Sequence, residues 1–144
     1  MMLKKSVVML LAAVVVGMAV GTMLARADAA EGPKDRLAVL WTSGDSEVAE
    51  KVCFMYTHNA KKQAWFDDVT LIVWGPSSRL LAGDKDLQEA VKQMLTDGVK
   101  VEACKACADM YGVSDKLAEI GIDVKYMGQP LSRMLKADWK VLTF

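Results

Sequence analysis

The sequence predicts an α/β domain built on a mostly parallel sheet of about five strands, and three observations predict it. From Arg36 onward, short apolar runs alternate with segments of helical period, the pattern of strands joined by crossover helices. The run Leu37-Ala38-Val39-Leu40-Trp41 is continuously apolar, as a strand covered on both faces must be, and Val69-Thr70-Leu71-Ile72-Val73-Trp74 comes close to it. Each run ends in small polar residues, Thr42-Ser43-Gly44-Asp45 after the first and Gly75-Pro76-Ser77-Ser78 after the second. A chain of 144 residues has room for one such core and not comfortably for two.

Taken in order, the first strand covers residues 37–41 and a helix follows over 46–62. Val48, Val52, Met55 and Ala60 form its expected apolar stripe, and Lys61 and Lys62 suit its C-terminal end. The second strand covers 69–74 and a loop is expected directly after it. Asp84 then caps a helix bearing Leu87, Val91, Met94 and Leu95, which Gly98 closes. In the third strand, 99–103, Val99, Val101 and Ala103 alternate with Lys100 and Glu102, which predicts a less buried strand. A short helix over 106–111 and another capped by Ser114 and ended by Gly121 lead to the fourth strand, 122–126. Pro130 fits the first turn of a helix through Lys136, and 139–144 is the fifth strand. Met55, Met94 and Met134 are placed on helix core faces, and Asp67-Asp68 reads as a solvated turn.

The N-terminus has a different character. Met1-Met2-Leu3-Lys4-Lys5 is a basic start, Val7 to Ala25 carries no charge, and Ala25-Arg26-Ala27 is a small-x-small pattern. These features predict an export signal over 1–27, cleaved after Ala27, with an uncleaved membrane anchor as the alternative because the apolar run nearly spans a bilayer. Residues 28–35, broken by Gly32-Pro33, read as a linker into a domain over 36–144. Removal of Lys4, Lys5 and Arg26 leaves 15 basic against 18 acidic residues, a net of −3. A mildly acidic periplasmic domain has no electrostatic footprint for nucleic acid.

In an open parallel sheet, ligands gather beyond the carboxyl ends of the strands. Three segments meet that description: Thr42-Ser43-Gly44-Asp45, Gly75-Pro76-Ser77-Ser78 and the segment opening at Cys104. Only the last offers a strong nucleophile. A thiol at a strand-to-helix junction lies beside unpaired N–H groups that favour the thiolate, and Lys105 adds a positive charge next to it. An inert core cysteine is the competing reading of the same position. Cys104 and Cys107 form a Cys-x-x-Cys, which suits disulfide chemistry or half of a metal site. The remaining metal candidates, Cys53 and His58, are five residues apart and point about 140° from each other on a helix, so no metal site is expected. Cys53 is placed in a helix interface and His58 is read as a surface or satisfied residue. With neither a Gly-x-Gly-x-x-Gly nor a phosphate loop, no nucleotide cofactor is expected.

Across Ala103-Cys104-Lys105-Ala106-Cys107-Ala108-Asp109-Met110-Tyr111-Gly112-Val113 the chain resembles the DsrE/DsrF-like sulfur-carrier family. Trp41-Thr42-Ser43-Gly44-Asp45, Val73-Trp74-Gly75-Pro76-Ser77 and the closing Trp139-Lys140-Val141-Leu142-Thr143-Phe144 extend the resemblance over about Arg36 to Phe144. The resemblance implies a Rossmann-like three-layer sandwich that assembles into trimers or hexamers. It also implies that Cys104 takes sulfane sulfur as a persulfide and exchanges it with donor and acceptor proteins or small thiols. Thr42, Ser43, Gly44, Gly75, Pro76, Ser77 and Lys105 would shape the pocket, and Cys107 would serve at most for resolution. Two other readings stay open: a thiol–disulfide module using Cys104 with Cys107, and a non-catalytic binding or assembly subunit.

Overall fold

The computed structural model describes residues 34–144; the expected export segment and most of the linker lie outside the described residues. Five strands form one parallel sheet: β1 (Arg36–Trp41), β2 (Asp68–Val73), β3 (Lys100–Cys104), β4 (Asp123–Lys125) and β5 (Trp139–Thr143), in the order β4-β3-β2-β1-β5. Asp35 is already tied down, its N–H donating to the Asp67 carboxylate at 3.0 Å while its carbonyl accepts from Asp67 N–H.

The two sheet faces are buried unequally. Leu37, Val39, Trp41, Val69, Leu71, Val73, Val101 and Ala103 point to one face, where helices from most of the chain close a large core. Each such side chain removed from water contributes about 1.5–3 kcal/mol, so this face dominates the stability of the fold. Ala38, Ile72 and Cys104 point to the other, where they meet Cys107, Met127 and a fringe of half-buried residues including Trp74, Leu131 and Trp139. A single amphipathic helix, Gly128–Lys136, follows β4 and carries the chain to β5 at the opposite edge.

β1 and β2 are buried as their apolar runs require. β3, however, is an interior strand between β2 and β4. It is nevertheless less buried than β2, as its alternation predicts, because one of its faces is incompletely covered and there Glu102 reaches Lys125 of β4 at 2.7 Å.

The first helix corrects the expected stripe. Ser46–Val48, Ala49–Phe54 and Met55–Lys62 run on without a break as α1, but the middle portion is a π-helix. Its wider turn presents Ala49, Cys53, Phe54, Thr57 and Ala60 to the core, while Val52 and Met55 stand 42% and 57% exposed. An apolar stripe counted at the α-helical period therefore selects Val52 and Met55 wrongly while Ala60 is buried as expected, and Met55 is not a core methionine. Asp45 caps the helix, accepting from Glu47 N–H at 2.8 Å and Val48 N–H at 3.0 Å.

The loop expected after β2 is in fact a helix, α2 (Pro76–Gly83). Gly75 adopts φ +71°, which side chains disfavour, and Pro76 then occupies the first helical position, where its missing N–H costs nothing. α3 (Lys85–Thr96) follows with Asp84 as cap and Leu87, Val91 and Met94 buried, as the periodicity predicts. α4 (Lys105–Met110), α5 (Ser114–Glu119) and α6 (Gly128–Lys136) complete the chain. Ser114 does not cap α5; it is the first residue of that helix and donates its hydroxyl to Asp109 at 2.6 Å. Among the described residues no helix is long and apolar enough to cross a membrane.

Candidate functional site at Cys104

Cys104 is the last residue of β3 and the residue immediately before α4. Val101 and Ala103 alternate into the large core, so Glu102 and Cys104 project to the opposite, thinly covered face. There Cys104 forms part of the wall of a cleft of about 510 Å³, together with Trp74 beyond β2, Tyr126 and Met127 beyond β4, and Gln129 and Arg133 of α6. The residue is only 4% exposed, and the cleft is the open space it borders.

Cys107 lies one helical turn on, 7% exposed, with its thiol 3.2 Å from that of Cys104. A disulfide is about 2.05 Å long, so the structure holds two thiols in contact. Burial pushes the Cys107 thiol above its usual range, and its hydrogen bond to Cys104 acts in the same direction. A hydrogen bond to the Gly75 backbone pulls the other way. Gly75 is thus the residue of the second expected loop that touches the cysteine pair.

The other expected pocket residues have different placements. Ser77 is buried, its hydroxyl donating to the Trp41 carbonyl at 2.7 Å and accepting from Trp74 N–H at 3.0 Å, which braces β1 against the start of α2. Thr42 donates its hydroxyl to the Phe144 carbonyl at 2.9 Å, and Ser43 accepts from Asp45 N–H at 3.1 Å. Gly44 and Pro76 line a separate cavity of about 530 Å³ with Arg79 and Asp84. The structure therefore does not bring Thr42, Ser43, Gly44 or Pro76 to the Cys104 cleft. Lys105 turns to Asp109, binding both carboxylate oxygens at 2.8 and 2.7 Å, with its ammonium 5.8 Å over the Tyr126 ring. Its charge is engaged by Asp109, which holds the ammonium protonated to higher pH than usual.

Sequence reasoning missed Trp74, Tyr126, Met127, Gln129 and Arg133 as cleft residues. The available signal was the carboxyl end of the fourth strand, which obeys the same ligand rule as the others but lacks small or nucleophilic residues to attract notice.

Cys53 and His58 serve the fold. Cys53 is buried in the α1 interface, and burial pushes its thiol up to about 12 against the lowering effect of its hydrogen bond with Thr57. His58 pairs with Asp97 at the end of α3 through a 2.6 Å contact, which holds the Asp97 carboxyl below its usual range. Alkylation with iodoacetamide near pH 8 should modify Cys104 and leave Cys53 untouched until the protein unfolds, because only thiolates react. Peptide mapping that found Cys53 labelled as fast in native as in denatured protein would contradict this placement.

The DsrE/DsrF-like family model matches residues 67–144, more than half of the chain and the whole Cys104 region. Among solved structures, a conserved protein of unknown function from Bacteroides thetaiotaomicron superposes with a TM-score of 0.74 at 35% identity, covering 76% of this chain and 95% of its own. The ychN protein from E. coli superposes with a TM-score of 0.60 at 18% identity, covering 76% of this chain and 99% of its own, a likeness of fold. Comparison with curated proteins gives no match. Family membership suggests a role related to sulfur relay. With an all-parallel five-stranded sheet and a matching family model over its C-terminal half, the chain belongs to the DsrE/DsrF-like family.

Proposed function

We propose that the protein is a sulfur carrier or sulfurtransferase-like subunit that holds sulfane sulfur as a persulfide on Cys104. The observation that carries this reading is the position of Cys104, at the end of an interior strand and in the wall of an open cleft. The Cys104 thiolate attacks the outer sulfur of a donor, a sulfur–sulfur bond forms at Sγ, and the rest of the donor leaves with the electron pair of the broken bond. The protein acts in the periplasm as a trimer or hexamer, exchanging sulfur with partner proteins or small thiols. Treating purified Cys107→Ala protein, in which no second thiol touches Cys104, with a sulfane-sulfur donor should raise its intact mass by one sulfur in a reductant-sensitive way; no such gain in the folded variant overturns the reading.

Arg133 bears on the donor. It lines the Cys104 cleft and also a neighbouring cavity of about 430 Å³ that contains Arg36, Lys125 and Glu102. Lys125 is engaged by Glu102 and Asp123 at 2.7 and 2.6 Å, whereas no ion pair joins Arg133 or Arg36 to a carboxylate among the described residues. Arg133 is exposed at the rim of the Cys104 cleft, and an exposed cation attracts anions, so donors such as thiosulfate are favoured over uncharged ones. Arg133→Glu should slow loading from thiosulfate about tenfold at low salt and leave the alkylation of Cys104 by uncharged iodoacetamide unchanged. Equal slowing of both reactions would remove the electrostatic argument.

The 3.2 Å contact between the two thiols supports a second reading, a thiol–disulfide module. It requires a Cys104–Cys107 disulfide at periplasmic redox poise, measurable as a reduction potential.

A further inference from the structure

The contact between Cys104 and Cys107 serves sulfur chemistry as well as disulfide chemistry. Cys104 borders the cleft, while Cys107 is packed with Cys104, Ala38, Ile72 and Met127 in the smaller core. The cleft offers room for a sulfur added to Cys104. Cys107 Sγ, 3.2 Å from Cys104 Sγ, approaches from the packed side. Displacement at divalent sulfur runs in line, with the attacking and departing sulfurs on opposite sides of the atom between them. Closing the pair to a disulfide of about 2.05 Å needs only about 1 Å of movement, within reach of side-chain rotation.

We infer that Cys107 discharges the persulfide, so that the protein reduces sulfane sulfur to sulfide as well as carrying it. The inference rests on the sulfur-carrier reading of Cys104. In the step, Cys104–S–S⁻ and Cys107–SH become Cys104–S–S–Cys107 and HS⁻. The bond between the two Sγ atoms forms and the bond from Cys104 Sγ to the outer sulfur breaks. The outer sulfur takes the electron pair and the Cys107 proton, being reduced to sulfide while the two cysteine sulfurs are oxidised. A dithiol reductant then restores the pair for another cycle. Burial, which favours the protonated form of Cys107, keeps this second thiol from competing with Cys104 for the donor. The substrate class is therefore any sulfane sulfur that Cys104 accepts, and the product is hydrogen sulfide.

The test is a single turnover without external reductant. Wild type, Cys107→Ser and Cys107→Ala proteins are treated anaerobically with inorganic polysulfide, freed of excess donor, and followed by intact mass and by sulfide release. Wild type should release one sulfide per sulfur loaded and end two hydrogens lighter than the dithiol. Both variants should keep the added sulfur, releasing sulfide at least about tenfold more slowly. Sulfide release from the variants at the wild-type rate, or a stable persulfide on wild type, overturns the discharge step alone. Failure of both variants to take up sulfur while retaining a native melting transition overturns the carrier reading itself, and the discharge with it.

Discussion

Cys104→Ser is expected to abolish sulfur loading, with the sulfane sulfur taken up from a donor, whether held or released as sulfide, falling at least about a hundredfold. A serine hydroxyl stays protonated at neutral pH and forms no persulfide, so the loss is chemical and not a matter of shape. The substitution keeps nearly the same volume at a residue only 4% exposed, beside the Cys107 thiol that offers a hydrogen-bond partner. The structural cost should therefore stay near 1 kcal/mol, the scale of one exchanged buried hydrogen bond. Intact mass and a urea melt on the same sample separate the two effects. Undiminished loading of the serine variant would show that sulfur sits elsewhere, and Cys107, the neighbouring thiol, would be the first place to look.

Trp41→Ala should be the most damaging single core change, lowering unfolding free energy by about 3–5 kcal/mol, a large share of the roughly 5–15 kcal/mol that holds a domain together. Trp41 ends β1 with no exposed surface and meets Phe54 edge-to-face at 4.9 Å. Its carbonyl also receives Trp74 N–H at 2.9 Å and the Ser77 hydroxyl, so the ring sits where β1, β2 and α2 converge. One term works against the ring: the indole N–H is buried with no protein acceptor. Trp41→Phe removes that donor while keeping an aromatic body, and should cost no more than about 1–2 kcal/mol. A urea midpoint for Trp41→Ala within error of wild type would mean that the ring does not fill the space assigned to it.

The strands were legible because burial on both faces leaves a plain mark, a continuous apolar run between turn residues. Cys104 was legible for a related reason, since the strand it closes and the helix it opens both have local signatures. Two elements were not. Gly75-Pro76-Ser77-Ser78 carries every residue type of a turn, and those same residues start α2, with a positive-φ glycine followed by proline at its first position. In α1 the helix itself was readable, but the π-helical portion displaces the periodicity on which any count of its buried face depends. The cleft was illegible for a third reason. Trp74, Cys104 and Tyr126 follow three different strands, and only the sheet order, which leaves no local trace, sets those ends side by side.

The order β4-β3-β2-β1-β5 also has a bearing on how the domain assembles in time. β2, β3 and β4 each pair with the strand just before them in the chain, but β5 must cross the whole sheet to reach β1, where Arg36 faces Trp139. Closing so long a loop is entropically slow, and such contacts tend to form late. Until β5 docks, the outer edge of the most apolar strand stays open to any passing chain with a free strand of its own. The interval between making the first four strands and receiving the fifth is therefore when self-association competes most directly with folding, and refolding yield should fall as protein concentration rises.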